Sequence, residues 1–184
     1  IWDNAYWVEL MKRDGSTPEK KTKVGSLYDD NNIYFYFDIE EPNIDNLKAD
    51  VLQRDGEVWN DDCVEIIIKV KKDVYHFIVN SKGVLYDEKN KNIYWNPEYK
   101  VGVDIKKGEK KWSVEVGIPM KIFETTYKDE PVWEVGLFRE EQQIKELSSI
   151  LPSEQGFLDP NCWVYFSFIP EEELKEYIKK GENK

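Results

Sequence analysis

Apolar and polar residues alternate along several short segments of the chain. Between positions 33 and 39, isoleucine and phenylalanine take every second place, and tyrosine and aspartate fill the places between them. This period of two predicts a β-strand with one apolar and one polar face. The polar turn 28–32 precedes the strand, so residues 23–27 are its predicted hairpin partner.

Further segments share this β-branched and aromatic character between turn-forming residues. Residues 64–70 and 74–80 flank the short polar loop 71–73 and form a second predicted hairpin. About nine strands with short links favour two packed sheets over one open sheet. The predicted fold class is therefore all-β, an antiparallel β-sandwich. The remaining predicted strands are 84–87, 100–105, 112–117, 132–139 and 164–168.

Two helical segments interrupt the strands. One is short and follows Pro119, because proline suits the first turn of a helix. The other covers the charged residues 171–180. We expect one β-sandwich domain over residues 1–170, followed by a charged C-terminal helix or linker over 171–184.

The charge balance narrows the range of partners. Lysine and arginine number 26 and aspartate and glutamate 37, which gives a formal net charge of −11. Such a surface repels phosphate backbones, so nucleic acid is not an expected partner. No apolar run reaches the roughly 18 residues of a membrane span, and we expect no membrane partner.

The sequence contains no recognisable catalytic constellation. Its one histidine, His76, lies in an alternating strand without a serine or cysteine signature nearby. Carboxylates are plentiful only because the chain is acidic. We therefore expect a protein that is not an enzyme. The two cysteines, Cys63 and Cys162, fit a reduced pair as readily as one disulfide bridge.

Aromatic residues are in excess: the chain has 7 tryptophans, 11 tyrosines and 8 phenylalanines. A β-sandwich needs only part of this number for its core. Flat rings lose little rotamer entropy and present large apolar faces, which suits the C–H faces of sugar rings. We expect some of these rings to face a ligand.

The segment 57–68 places Trp59 and an acidic turn before a Val-Glu-Ile strand. This pattern resembles the hallmark of the family nine carbohydrate-binding modules, which are related to DOMON-type domains. Further motifs match in the same order, and the resemblance covers roughly residues 1–169. The main ones are 76–80, 112–119, 136–139 and 157–160.

The resemblance implies a site as well as a fold. Members of that family are similar β-sandwiches that hold sugar between two aromatic rings above a polar sheet. By position, the ring pair here is Trp59 and Phe157, while Glu65 and Asn80 match polar ligand-contacting residues. The expected partner is an oligo- or polysaccharide.

Two positions depart from the family pattern. The best-known sugar-binding members carry an arginine where this chain has Ile78, and the second ring is usually tryptophan, not phenylalanine. Arg139, at the end of a predicted strand, is a candidate to supply the missing donor. His76 shares a strand face with Ile78 and Asn80 and is a further candidate ligand contact.

The resemblance also implies a setting. We expect an extracellular or cell-surface location and attachment within a larger multidomain protein. Family members often carry structural calcium, and the clusters 29–32 and 61–62 supply the oxygen atoms that calcium prefers. No calcium ligands are assigned.

Two alternatives remain open on the sequence. Related sandwich domains bind haem through methionine with histidine or lysine, and Met11, Met120 and His76 are available here. The domain could also be a structural or docking module with a degenerate sugar site, as Ile78 and Phe157 suggest.

Overall fold

A computed structural model of the chain describes residues 1–153 and 155–181. These residues form twelve strands in two antiparallel sheets, followed by one α-helix, α1 (Glu171–Gly181). The predicted all-β sandwich fold is confirmed. The strands are β1 (Tyr6–Glu9), β2 (Met11–Lys12), β3 (Thr22–Tyr28), β4 (Asn32–Glu40), β5 (Cys63–Val70), β6 (Asp73–Asn80), β7 (Leu85–Lys89), β8 (Lys100–Lys106), β9 (Lys111–Pro119), β10 (Val132–Glu141), β11 (Glu146–Ser149) and β12 (Val164–Ser167).

The five-stranded sheet has the order β1-β3-β4-β9-β8. Its central strand β4 shows the alternation that the sequence predicts. Ile33 and Phe37 are fully buried, whereas Tyr34 and Tyr36 lie half-buried on the outer face. The inner face of this sheet therefore supplies one side of the core.

The seven-stranded sheet has the order β2-β11-β10-β5-β6-β7, and β12 pairs with the first part of β10. In β5, Val64, Ile66 and Ile68 belong to the main core. Glu65 and Ile67 alternate with them, so they point to the outer face. This outer face carries most of the residues that the sequence assigns to a site.

Three strands were not predicted: β1, β2 and β11 contain only two to four residues each. Such short segments are too brief to show a clear period of two. The helix after Pro119 is present as the 3-10 turn Met120–Phe123, and the C-terminal helix is confirmed as α1. Residues 182–184, the end of the predicted charged segment, lie outside the described residues. The domain boundary at residue 170 stays a prediction.

Within residues 1–153 and 155–181, no helix is long and apolar enough to cross a bilayer.

Both cysteines are buried and unbridged. Cys63 and Cys162 each show 0% exposure and belong to two different apolar clusters on the outer face of the seven-stranded sheet. The sequence fits either a reduced pair of cysteines or one disulfide bridge, and the structure contains the reduced pair.

Candidate functional site

Four cross-strand partners form a row on the outer face of the seven-stranded sheet. The row runs from Tyr86 on β7 through Ile78 on β6 and Glu65 on β5 to Phe138 on β10. At about 4.8 Å per strand, it spans about 14 Å. The two predicted ligand rings stand at its two ends.

Trp59 stands at the β7 end of the row. It lies in the 3-10 turn Val58–Asn60, and its ring meets Tyr86 edge-on with 5.2 Å between centroids. The side chain is 37% exposed. Gln142 donates from Nε2 to the Trp59 carbonyl oxygen and fixes the turn over the sheet. The indole is thus partly packed against Tyr86 and partly exposed to solvent.

Phe157 lies at the β10 end. Its ring stacks on Phe138 with 4.3 Å between centroids and 23° between planes. The loop that carries it is held in place because Trp163 donates from Nε1 to the Phe157 carbonyl oxygen at 2.9 Å. Phe157 is half-buried, so part of its surface stays accessible. The two rings are therefore positioned by separate loops on either side of Ile78 and Glu65.

A polar network lies between the rings. His76 Nε2 is 2.7 Å from the Glu65 carboxylate, and His76 Nδ1 is 3.8 Å from Glu88. Burial lowers the pKa of His76, but the two carboxylates raise it more, to about 9. The ring is therefore charged at neutral pH, and the hydrogen-bonded His76 lowers the pKa of Glu88.

Glu140 completes this network on β10. Burial raises its pKa, and the nearby charge of Glu65 raises it further. Glu140 therefore tends to keep its proton at neutral pH, and a protonated carboxyl donates as well as accepts hydrogen bonds. Glu140 is half-buried, whereas Glu65 is 3% exposed. Glu140 is thus the carboxyl group that a ligand reaches more easily.

Sequence reasoning missed Glu140, Tyr86 and Glu88. Tyr86 donates to Glu88 at 2.8 Å and supports Trp59 from below. The missing signal was cross-strand register: once β10 and β7 are placed beside β5 and β6, alternation puts all three on the same face as Glu65.

The prediction for Asn80 needs correction. It is fully buried, its amide nitrogen donates to Val51 and Asp61, and its amide oxygen accepts from the N–H groups of Lys82 and Val84. All of its hydrogen-bonding positions are thereby used inside the protein. Asn80 ties down the turn after β6 and does not face a ligand.

The prediction for Arg139 is also wrong. Alternation along β10 turns it between the two sheets, where it is 1% exposed. Its guanidinium donates to the Lys20 carbonyl oxygen at 2.9 Å and to Glu41 at 3.2 Å. Lys20 in turn pairs with Glu41 and Glu141. Arg139 belongs to a buried ion cluster and supplies no donor to the outer face.

Ile78, at the position where the sequence departs from the family pattern, lies in an apolar environment. It is 1% exposed and packs with Val58, Cys63 and Tyr86 in an apolar cluster beside Trp59. This position supports the tryptophan turn from below, so the site contains no arginine in that place.

The carboxylates of the predicted cluster 61–62 already accept hydrogen bonds from the backbone, and calcium binding stays a prediction. Asp61 accepts from the N–H groups of Asp50 and Val51, and Asp62 accepts from those of Lys48 and Gln142. Among residues 1–153 and 155–181, no three acidic, histidine or cysteine side chains converge as metal ligands. These carboxylates act in the fold as acceptors for backbone N–H groups.

Two of the three residues named for the haem alternative, Met120 and His76, have side chains that are engaged inside the protein. Met120 is 4% exposed and packs in the main core. The ring nitrogens of His76 face Glu65 and Glu88. Neither side chain is available to bind iron without rearrangement of the sheet.

Another surface cleft, about 760 Å³, lies away from these rings, between strands β1 and β12. Its lining is mixed: aliphatic side chains such as Val8 and Leu137 lie beside four aromatic rings and polar residues that include Glu9 and Ser26. None of the residues that match the family motif, Trp59, Glu65 or Phe157, lines this cleft. The outer face with Trp59 is therefore the better candidate for a carbohydrate site.

The family described as "Carbohydrate family 9 binding domain-like" matches residues 1–138. Since this match covers most of the chain, the protein belongs to that family, which consists of non-catalytic binding modules. A search of curated proteins gave no match.

Three solved structures share the fold. One is a proposed carbohydrate-binding protein from Bacteroides uniformis ATCC 8492, with TM-score 0.72 and 16% identity, covering 91% of this chain and 88% of the other. Another is a family 9 module from Caldicellulosiruptor kristjanssonii in complex with cellotriose, with TM-score 0.59, 14% identity and coverage of 91% and 84%. The same kind of module in complex with glucose gives 0.61, 13%, 91% and 85%.

Proposed function

We propose that this domain is a non-catalytic module that holds a neutral saccharide between Trp59 and Phe157. The observation that carries the proposal is the placement of two accessible rings at opposite ends of one cross-strand row, with a polar network between them. The family membership supports the ligand class, and the sugar complexes of related modules suggest cellotriose and glucose as first probes.

Magnitudes agree with a binding role of moderate strength. Each ring that covers about 50–80 Å² of sugar contributes roughly 1–2 kcal/mol at about 25 cal/mol per Å². A hydrogen bond to a neutral group, such as protonated Glu140, adds about 0.5–1.5 kcal/mol, and one to a charged group adds about 1.5–3 kcal/mol. The rings therefore need the polar groups beneath them, Glu140 above all, to reach an affinity near the micromolar range.

The direct test is the substitution Trp59→Ala, followed by calorimetric titration with cellotriose and a glycan array. We expect at least ten-fold weaker binding, with the fold unchanged in near-ultraviolet circular dichroism. Tyr6→Ala is the matched control, because that ring is 74% exposed at the edge of the other sheet. Equal affinity in Trp59→Ala and wild type would reject the site.

An array without hits, for a protein that is well folded, would instead favour the structural or docking module. We further propose that the domain works outside the cell as one part of a larger protein, since a binding module without catalytic groups acts by holding another activity near a polysaccharide. Detection of the chain only inside cells would contradict this part of the proposal.

A further inference from the structure

The outer face of the five-stranded sheet carries a second groove, which shares no residue with the ring pair. Its volume is about 670 Å³, within the range of roughly 300–1,000 Å³ that is typical of small-ligand sites. The groove crosses β4, β9 and β8. Its main lining residues are Tyr34, Lys100, Gly102, Glu115, Gly117 and Lys121.

Tyr34 forms one wall and is held rigidly. It pairs across the sheet with Gly117, and a Cβ atom at position 117 would lie only 3.2 Å from the tyrosine ring. The hydroxyl donates to Asp29 at 2.9 Å and accepts from Asn32 at 3.0 Å. The ring therefore lies against the strand in a fixed orientation before any ligand arrives.

Gly102 forms the floor, and packing within the protein does not explain it. It lies inside the regularly paired strand β8, opposite Glu115, without a positive φ. A Cβ atom there would meet no other atom within 4 Å. Glycine weakens a strand by roughly 0.5–1 kcal/mol, and in a strand it often marks close approach by another molecule. Gly102 thus points to a ligand that lies directly on the backbone.

The charges around the groove cancel. Two lysines, Lys100 and Lys121, and two glutamates, Glu98 and Glu115, line it. Within the described part of the chain, the side chains of Lys100, Lys121 and Glu98 have no hydrogen-bond or ion-pair partner, and the Glu115 carboxylate only accepts from Trp2 at 3.4 Å. Balanced charges with free donors and acceptors favour a neutral, hydroxyl-rich ligand over an anion or a cation.

The same arrangement of ring and glycine recurs along the sheet. Trp7, Gly25, Tyr36, Glu115 and Gly102 form one row across all five strands, about 19 Å long at about 4.8 Å per strand. A Cβ atom on Gly25 would lie 3.0 Å from the Trp7 ring. The groove is therefore continuous with a face that carries the further aromatic rings of Trp7 and Tyr36, which meet edge-on.

We propose that this groove is a second saccharide site, in which a neutral sugar chain lies on Gly102 beside the Tyr34 ring. It uses the same ligand class as the proposed function but none of its residues. Because the two sites occupy the outer faces of opposite sheets, one domain can hold two chains at once and gain avidity on a polysaccharide surface.

The two sites are separated by two-dimensional ¹H–¹⁵N NMR during titration with cellotriose. The reporters are the backbone amides of Gly102 and Gly117 and the indole N–H of Trp59. We expect all three signals to move, the glycines at a different saturation point from the tryptophan. Movement of Trp59 alone overturns the second site and leaves the proposed function standing. Movement of the glycine signals alone overturns the proposed site at Trp59 and supports the second site. If no signal moves, both sites are rejected.

A substitution tests the floor of the groove. Gly102→Val adds a side chain in open space, so we expect a Tm that is unchanged or higher, since valine favours strands. The Gly117 shift should then require at least ten-fold more cellotriose, while the Trp59 shift stays as in wild type. Gly108→Val is the matched control, because that glycine also has no atom within 4 Å of its Cβ position.

An unchanged Gly117 titration in Gly102→Val would overturn the proposal. If that variant does not fold, Lys100→Ala replaces it, because this exposed side chain has no partner to lose. The same weakening at Gly117 is then expected, and an unaltered titration contradicts the second site.

Discussion

His76 places Nε2 2.7 Å from the carboxylate of Glu65, and both side chains are almost completely buried on the outer face of the seven-stranded sheet. The pair connects the central strands β5 and β6 directly beneath the proposed ligand. Its protonation therefore affects the stability of the floor of the site.

Stability should decrease with rising pH because of this pair. The folded-state pKa of His76 is raised from 6.5 to about 9. Its charged form therefore stabilises the fold fully below pH 6.5 and stops doing so as the pH rises through 9. We expect the Tm to decrease over this interval, by about 2–4 °C for each kcal/mol lost. In His76→Gln the decrease should be smaller, and equal slopes in both proteins would contradict the assignment.

The second ring should contribute about as much as its contact area allows. Phe157→Ala removes roughly 1–2 kcal/mol of contact and is expected to weaken cellotriose binding about 5–30-fold in calorimetric titration. Phe157→Trp restores the larger ring and should retain or improve affinity. Leu158→Ala is the control, because this neighbour is 62% exposed. An effect of Leu158→Ala as large as that of Phe157→Ala would mean that the loop, and not the ring, is responsible.

Arg139 should matter for stability and not for contact with sugar. Arg139→Ala leaves Glu41 buried without one of its cationic partners, which costs about 3–5 kcal/mol in the free energy of unfolding. Urea denaturation measures this loss. Lys107→Ala, at an exposed ion pair with Asp45, should cost less than about 1 kcal/mol. A ten-fold loss of cellotriose affinity in folded Arg139→Ala would contradict this assignment and show that Arg139 contributes to sugar binding.

Calcium should have little effect on this domain. The carboxylates of Asp61 and Asp62 are fully buried and already accept hydrogen bonds from backbone N–H groups, so a cation would compete with these bonds. We expect the same Tm in excess EDTA and in millimolar calcium chloride. A rise of several degrees with calcium would reveal a site built from other oxygen atoms, such as backbone carbonyls.

The fold could be predicted because the alternation along strands such as β4 is regular and its turns are polar. Every predicted strand corresponds to an observed one, with ends shifted by a few residues. Strands such as β2 were not predicted because a segment of two residues is too short to show an alternation of apolar and polar positions. Their pairing depends on neighbours that are distant in sequence.

The site was only partly predictable. Trp59 and Glu65 follow from a local motif, and the structure places both on one outer face. The errors at Asn80 and Arg139 have one cause: a polar residue in a strand can be buried and fully bonded. Arg139 lies on the same face of its strand as Val135 and Leu137. These two apolar neighbours already indicated that the arginine points into the core. For Asn80, the covering segment near Val51 could be known only from the folded chain.

The two thiols have a practical consequence. Burial raises the pKa of Cys63 well above its usual range, so its thiol is a poor nucleophile. Since no bridge joins it to Cys162, the domain needs no oxidant to mature. It can be produced in a reducing cytoplasm and stored with or without dithiothreitol. Fusion to other proteins should not lead to incorrect disulfide bonds.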